Sequence, residues 1–188
     1  YERCEKIELK IAKYLSEGKV IARYSGPMEY GPRALGNRTI FYQANDKSVN
    51  DWLNKRLKRT EYMPFAPMII EDYADDYFYI DNKIKFALEF MTIACDAKPL
   101  CKKKAPGVVH IDGTARPQII NKKINLSCYE ILRNYYEITA LPILINTSFN
   151  IHEEPIVNSP EEAIKTFLEG NLDILAIDKY LLSLKECN

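Results

Sequence analysis

Apolar residues at the start of the chain recur at three- and four-residue intervals. Cys4, Ile7, Ile11, Tyr14 and Leu15 share one stripe, Leu9 lies off it, and Gly18 stands where a glycine ends a helix, so the pattern predicts an amphipathic helix over residues 2–18. The runs at 20–24 and 38–42 have strand length, and the glycine- and proline-rich segment between them reads as a strand-to-strand loop. Asp46 is placed to cap a helix reaching about Arg59, with Val49, Trp52, Leu53 and Leu57 on its buried stripe. Pro64 and Pro67 donate no backbone hydrogen bond, so residues 63–68 are expected at a sheet edge or as an irregular crossing into Ile69 and Ile70.

Farther along, the pattern predicts a short helix at 72–78, an apolar strand at 86–94 and a polar, lysine-bearing loop at 95–105. Residues 108–116 read as an extended run broken at Asp112-Gly113, and 117–120 resume it. Ser127 and Glu130 have capping-box spacing ahead of the stripe Ile131, Leu132, Tyr135 and Tyr136. Residues 142–146 form an unbroken apolar run, as in a strand covered on both faces. Ser159-Pro160-Glu161-Glu162 combines an N-cap, a proline at the first helical position and acids in the first turn, so a helix should run from there to just before Gly170. Strands are expected at 174–177 and 180–184. Interspersed helices and strands give an α/β (α+β) class with a mixed sheet, and the length suits one domain over 1–188.

Composition narrows the partners. Twenty-six Lys and Arg balance 26 Asp and Glu, so no global basic field draws in nucleic acid and any cationic site must be local. The charge is uneven: Lys55, Arg56, Lys58 and Arg59 cluster ahead of Glu71, Asp72, Asp75, Asp76 and Asp81, which also reads as a basic helix end followed by a solvated acidic face. Cys4, Cys95, Cys101, Cys128 and Cys187 are odd in number and lack CxxC pairing, as in a reducing, cytoplasmic setting. No apolar run approaches the roughly 20 residues of a membrane span, and no signal-peptide pattern is present. The chain opens on Tyr1, as a piece of a longer polypeptide would.

Chemistry concentrates in four places. Residues 26–38 set three glycines, two prolines, Arg33 and Arg38 around Leu35, a composition that can hold guanidiniums against a phosphate or carboxylate; a solvated turn with an arginine paired to Glu29 is the competing reading. The basic cluster 55–59 follows. His110, Asp112, Thr114 and Arg116 alternate and, if extended, project from one face; His110 with Asp112 could take a metal or a magnesium nucleotide, although His152 is the one other histidine and zinc is disfavoured. Asn146, Ser148 and Asn150 alternate likewise, offering amides and a hydroxyl to sugar, base or phosphate oxygens, or forming an Asx-rich turn. Glu153 and Glu154, ahead of Pro155, suit a general base or a turn. Neither a Ser-His-Asp or Cys-His arrangement nor a Walker lysine is present, so the profile fits anion transfer by positioning and charge stabilisation.

The blocks EYGPRALGNR (29–38), LKRTEYMPFAP (57–67), HIDGTARPQ (110–118) and NTSFNIHEEPIV (146–157) resemble, in order, the C-terminal domain of the O-carbamoyltransferases typified by NodU, NolO and tobramycin carbamoyltransferase. The resemblance implies a YrdC-like twisted mixed β-sheet with flanking helices. It implies a domain that makes carbamoyl-adenylate from ATP and carbamoyl phosphate with Mg2+, for transfer to a hydroxyl acceptor by an N-terminal Kae-like domain. That partner domain, with its own iron, is expected on the same polypeptide outside this chain. By the same resemblance Arg33 and Arg38 would hold the phosphates, with Lys58 and Arg59 beside them and His110 as a catalytic group. Thr114 and Arg116 would line the same cavity, Asp112 would hold magnesium, and Asn146, Ser148 and Asn150 would form a nucleotide element. Many members carry an arginine where Met63 stands, so the cation there falls to Arg59 or is lacking. The competing reading is a noncatalytic nucleotide- or RNA-binding module that stabilises a partner domain, and the acceptor could be a nodulation-factor sugar, an antibiotic or another metabolite.

Overall fold

The computed structural model describes residues 1–59 and 63–184, so Cys187 and the middle of the 57–67 block lie outside the described residues. In chain order the elements are β1 (Glu2–Arg3), α1 (Ile7–Ser16), β2 (Ile21–Tyr24), β3 (Arg38–Gln43), α2 (Val49–Arg56), β4 (Ala66–Ile70) and α3 (Glu71–Tyr77). A 3-10 turn at Asn82–Ile84 leads to α4 (Lys85–Leu88), β5 (Cys95–Asp96), α5 (Pro99–Lys104), a second 3-10 turn at Pro106–Val108, β6 (Thr114–Ala115) and β7 (Gln118–Ile120). The chain continues with α6 (Leu126–Thr139), β8 (Ile143–Ser148), α7 (Pro160–Glu169), β9 (Ile174–Ile177) and β10 (Tyr180–Ser183).

Among the described residues one sheet runs in the order β1-β10-β9-β2-β3-β8-β4-β7, and β5 pairs with β6 apart from it. The β2/β9 and β4/β7 pairs are parallel and the other pairs of the large sheet antiparallel, so the sheet is mixed. Helices α1 and α6 pack against each other and against the central strands, burying Ile11, Leu15, Cys128, Leu132 and Tyr135. Strands β3 and β8 lie side by side, which brings the end of the 26–38 loop next to the polar end of β8.

The helix starting at Ser159 forms as its sequence predicts. Its capping box is complete, Ser159 accepting from the Glu162 amide and the Glu162 carboxylate accepting from the cap backbone. Elsewhere tertiary contacts overrule local pattern. Residues Glu2–Arg3 leave the first helix to pair with β10. The Asp46 carboxylate accepts from Ser48 N at 2.8 Å, Ser48 Oγ at 2.7 Å and Trp52 Nε1 at 3.2 Å, so it closes a turn ahead of α2 instead of capping it. β4 is an interior strand, not an edge. Its first pair with β7 is Met68↔Gln118, so the donor missing at Pro67 falls outside that ladder.

The segment expected as a strand at 86–94 is α4 and a turn, because Phe86 and Phe90 stack edge-on at 5.2 Å on the solvent side while Leu88 and Met91 are buried, a helical split. The expected loop at 95–105 holds β5 and α5, which opens on Pro99 and buries Cys101. Asn125, not Ser127, caps α6, its side chain accepting from Cys128 N at 3.0 Å.

Candidate functional site

The 26–38 loop is organised from inside. One oxygen of Glu29, Oε1, accepts from the amides of Leu35 and Asn37, each at 2.7 Å, and of Arg38 at 3.1 Å, so Glu29 folds the turn rather than pairing with an arginine. Gly36 has φ 117°, and a Cβ there would overlap Cys128 Sγ, so the loop seats on α6 only through a glycine. Beneath it Arg23, buried in β2, donates to Gly36 O and to Cys128 Sγ at 3.0 Å, and its other terminal nitrogen donates to Ser127 Oγ at 2.7 Å. Ser127 in turn donates to Glu8 at 2.6 Å.

Arg33 and Arg38 point to different tasks. Arg38 is 3% exposed, lies 3.5 Å above the Tyr24 ring, and donates to the carbonyls of Ser25, Gly26 and Asn37 at 3.0–3.2 Å. Its two terminal nitrogens are taken up by its own loop, and its Nε is buried without a partner. Arg33 is exposed and lines a pocket of about 250 Å³ together with Arg59, Arg116, Asn146, Thr147 and Ser148, with Met63, Pro64 and Met91 on its apolar wall.

Two amides fix that pocket's floor. Asn146 Nδ2 donates to Ala34 O at 2.9 Å and to Gln118 Oε1 at 2.7 Å, and Gln118 Nε2 donates to Leu35 O at 2.9 Å. The backbone flanking Arg33 is thereby tied to β8 and β7. Arg59 donates to Thr147 Oγ1 at 3.0 Å, and burial lowers its pKa to about 10, still well above neutrality. The Arg116 pKa is lowered too, first by burial and then by the positive charge of Arg33. Among the described residues none of these three guanidiniums forms an ion pair with a carboxylate, and Arg116 Nε is buried without a partner. Like charges set together in this way, Arg59 and Arg116 partly buried and Arg33 exposed, favour a polyoxygen anion as counter-ion, and guanidinium forks match its geometry.

The remaining candidates stand elsewhere. Lys58 is exposed at φ 56° beyond the pocket lining. A turn at 111–113 breaks the alternation of His110, Asp112, Thr114 and Arg116, so they do not share one face. Asp112 Oδ1 accepts from Thr114 N at 2.9 Å and Thr114 Oγ1 at 2.8 Å, bonds that lower its pKa, and His110 Nδ1 lies 3.2 Å from the same hydroxyl. His110 lines a different cavity of about 740 Å³ with Lys47, Asn50, Asp51 and Lys102, and burial lowers its pKa against the pull of Asp112. That cavity is larger, but its lysines share it with Asp51, whereas the smaller pocket gathers arginines alone. Asn150 is spent on its own turn, accepting from Ser148 Oγ at 2.6 Å and donating to Glu154 O at 2.7 Å. Among the described residues no three His, Cys, Asp or Glu side chains cluster as a metal cage.

Gln118, Thr147 and Arg23 were not singled out by sequence reasoning. Gln118 closes the third sequence block and Thr147 sits inside the fourth, whereas Arg23 gives no sign, a lone arginine in an apolar strand.

The family described as "Carbamoyltransferase C-terminus" matches residues 12–184, the span that carries all of this pocket. The chain belongs to that family. Among curated relatives it is 37% identical to nodulation protein NolNO of Sinorhizobium fredii over 183 residues, covering 96% of this chain and 27% of that protein. It is 41% identical to an uncharacterised protein of Methanocaldococcus jannaschii over 93% of this chain and 28% of that one, so it spans about a quarter of these relatives. Among solved structures it is similar to full-length HypF in a phosphate- and nucleotide-bound form, with TM-score 0.67, 21% identity, and coverage of 94% of this chain and 21% of that one. It is also similar to P. abyssi Sua5 complexed with L-threonine, with TM-score 0.61, 14% identity, and coverage of 94% and 48%. The carbamoyltransferase C-terminal fold is thus the YrdC-like one, a mixed sheet flanked by helices. Among the described residues no helix is long and apolar enough to cross a membrane.

Proposed function

We propose that this carbamoyltransferase C-terminal domain binds ATP and carbamoyl phosphate in the arginine pocket and forms carbamoyl-adenylate there. Carbamoyl phosphate and water yield carbamate and phosphate; a carbamate oxygen then attacks the α-phosphorus of ATP, the bond to the bridging oxygen breaks, and pyrophosphate leaves. The observation that carries the reading is the convergence of Arg33, Arg59 and Arg116 with no carboxylate partner among the described residues. Fixed cations in a partly dry pocket need little reorganisation to stabilise charge arriving on leaving phosphates, and this electrostatic contribution is commonly the largest in such transfers. Arg116 and Arg59 grip oxygens from the sheet side and Arg33 from the loop. Glu29, Arg38, Gln118 and Arg23 hold that loop in place. Magnesium is proposed to arrive on the nucleotide phosphates, where it neutralises charge.

The carbamoyl group is proposed to pass to a hydroxyl acceptor on a further, Kae-like part of the longer polypeptide. Calorimetric titration tests the binding step. Wild-type chain should bind ATP and carbamoyl phosphate, and Arg116→Gln should weaken both at least about tenfold, the scale of one lost charge-assisted bond. Unchanged affinity in Arg116→Gln, in a folded sample, would sink the assignment of this pocket.

A further inference from the structure

We propose that Asn146 reads the amino end of the carbamoyl group and makes the pocket select carbamoyl phosphate over acyl phosphates of the same shape. This rests on the pocket being the carbamoyl phosphate site. The direction of the Asn146 amide follows from its neighbours. Ala34 O is a backbone carbonyl and can only accept, so Nδ2 must face it. Gln118 is oriented in the same way, since its Nε2 donates to the carbonyl of Leu35, which leaves Oε1 to take the second Asn146 hydrogen. Both donors of Asn146 are therefore used inside the protein.

That reverses the expectation from sequence that Asn146 offers an amide N–H to phosphate or sugar oxygens. What it has left is an acceptor. Oδ1 is buried without a partner on a residue 1% exposed that lines the arginine pocket. Native proteins rarely leave a buried acceptor unmatched, and an ionised phosphate, bearing only acceptors, cannot match it. Of the other buried polar atoms without a partner among the described residues, Glu29 Oε2 and Arg38 Nε belong to residues outside the lining, and Arg116, which lines the pocket, carries a complementary donor, Nε. One small group satisfies both. The carbamoyl unit, an amino group and a carbonyl oxygen on one carbon, donates from nitrogen to Asn146 Oδ1 and accepts at its carbonyl oxygen from Arg116 Nε. Acetyl phosphate puts a methyl in place of the amino group, keeping the size and losing the donor, and sites built around a substrate N–H discriminate strongly against analogues lacking it.

The test is competitive titration of the wild-type chain with carbamoyl phosphate, acetyl phosphate and inorganic phosphate, repeated on Asn146→Ser. The expected result is a preference of at least about tenfold for carbamoyl over acetyl phosphate in the wild type, collapsing toward one in the variant even if loop loosening weakens every ligand. Equal binding of the two acyl phosphates by the wild type would overturn the proposal, and so would a preference that survives in Asn146→Ser. Should the variant fail to fold, equal wild-type binding of the two acyl phosphates still overturns the proposal. Failure of all three ligands to bind would instead remove the phosphate reading beneath it, an outcome distinct from binding without discrimination.

Discussion

Arg33 and Arg38, five positions apart in one loop, show how environment assigns the same side chain two roles. Arg38→Ala removes three carbonyl partners and the stack on Tyr24, and should cost roughly 2–4 kcal/mol of stability, read by denaturant unfolding. Arg33→Ala touches an exposed side chain; it should leave stability within about 0.5 kcal/mol and act on phosphate affinity instead. His110 gives a pH signature. Burial, with a smaller push from Arg116, holds its pKa below 6.5 despite Asp112, so below that pH the unfolded chain takes up a proton that the folded chain resists. Stability therefore falls as pH drops from 6.5 through the folded-state value, and above 6.5 it is flat for this group. The fall should be shallower in His110→Gln, measured by thermal melts across that window.

At the scale of elements, the loop's fit against α6 rests on one missing side chain. Gly36→Ala brings a Cβ onto Cys128 Sγ at φ 117°, and should destabilise by at least about 1–3 kcal/mol. Ser159→Ala, which breaks the capping box of α7 outside the pocket lining, should cost about 1 kcal/mol and leave phosphate binding alone. The α7 start was legible because cap, proline and acids act within one turn of chain. The strands β2, β3, β8, β9 and β10 were legible because apolar runs of strand length buried in a sheet leave little choice. The segment at 86–94 was not, since a helix that buries Leu88 and Met91 while pairing Phe86 with Phe90 outside has the same composition as a strand. In the pocket, Arg33, Arg59, Arg116, Asn146 and Ser148 could be named from sequence, but the direction of the Asn146 amide could not. It depends on a carbonyl 112 positions away.

For the whole molecule, a net charge of zero and a local set of arginines without carboxylate partners among the described residues fit the proposed binding of phosphate ligands better than binding of a polyanionic backbone. Ligands that bind the folded state alone raise its stability, by about 2.7 kcal/mol at a hundredfold excess over Kd, so carbamoyl phosphate and ATP should each raise the melting temperature, and both rises should be smaller in Arg116→Gln at the same ligand concentration. Binding alone does not establish adenylate formation. The most direct measurement is exchange of labelled pyrophosphate into ATP by the 188-residue chain with magnesium. Exchange that requires carbamoyl phosphate and is lost in Arg116→Gln is the predicted result. Absence of exchange from folded, ATP-binding protein, or exchange indifferent to carbamoyl phosphate, would contradict the account.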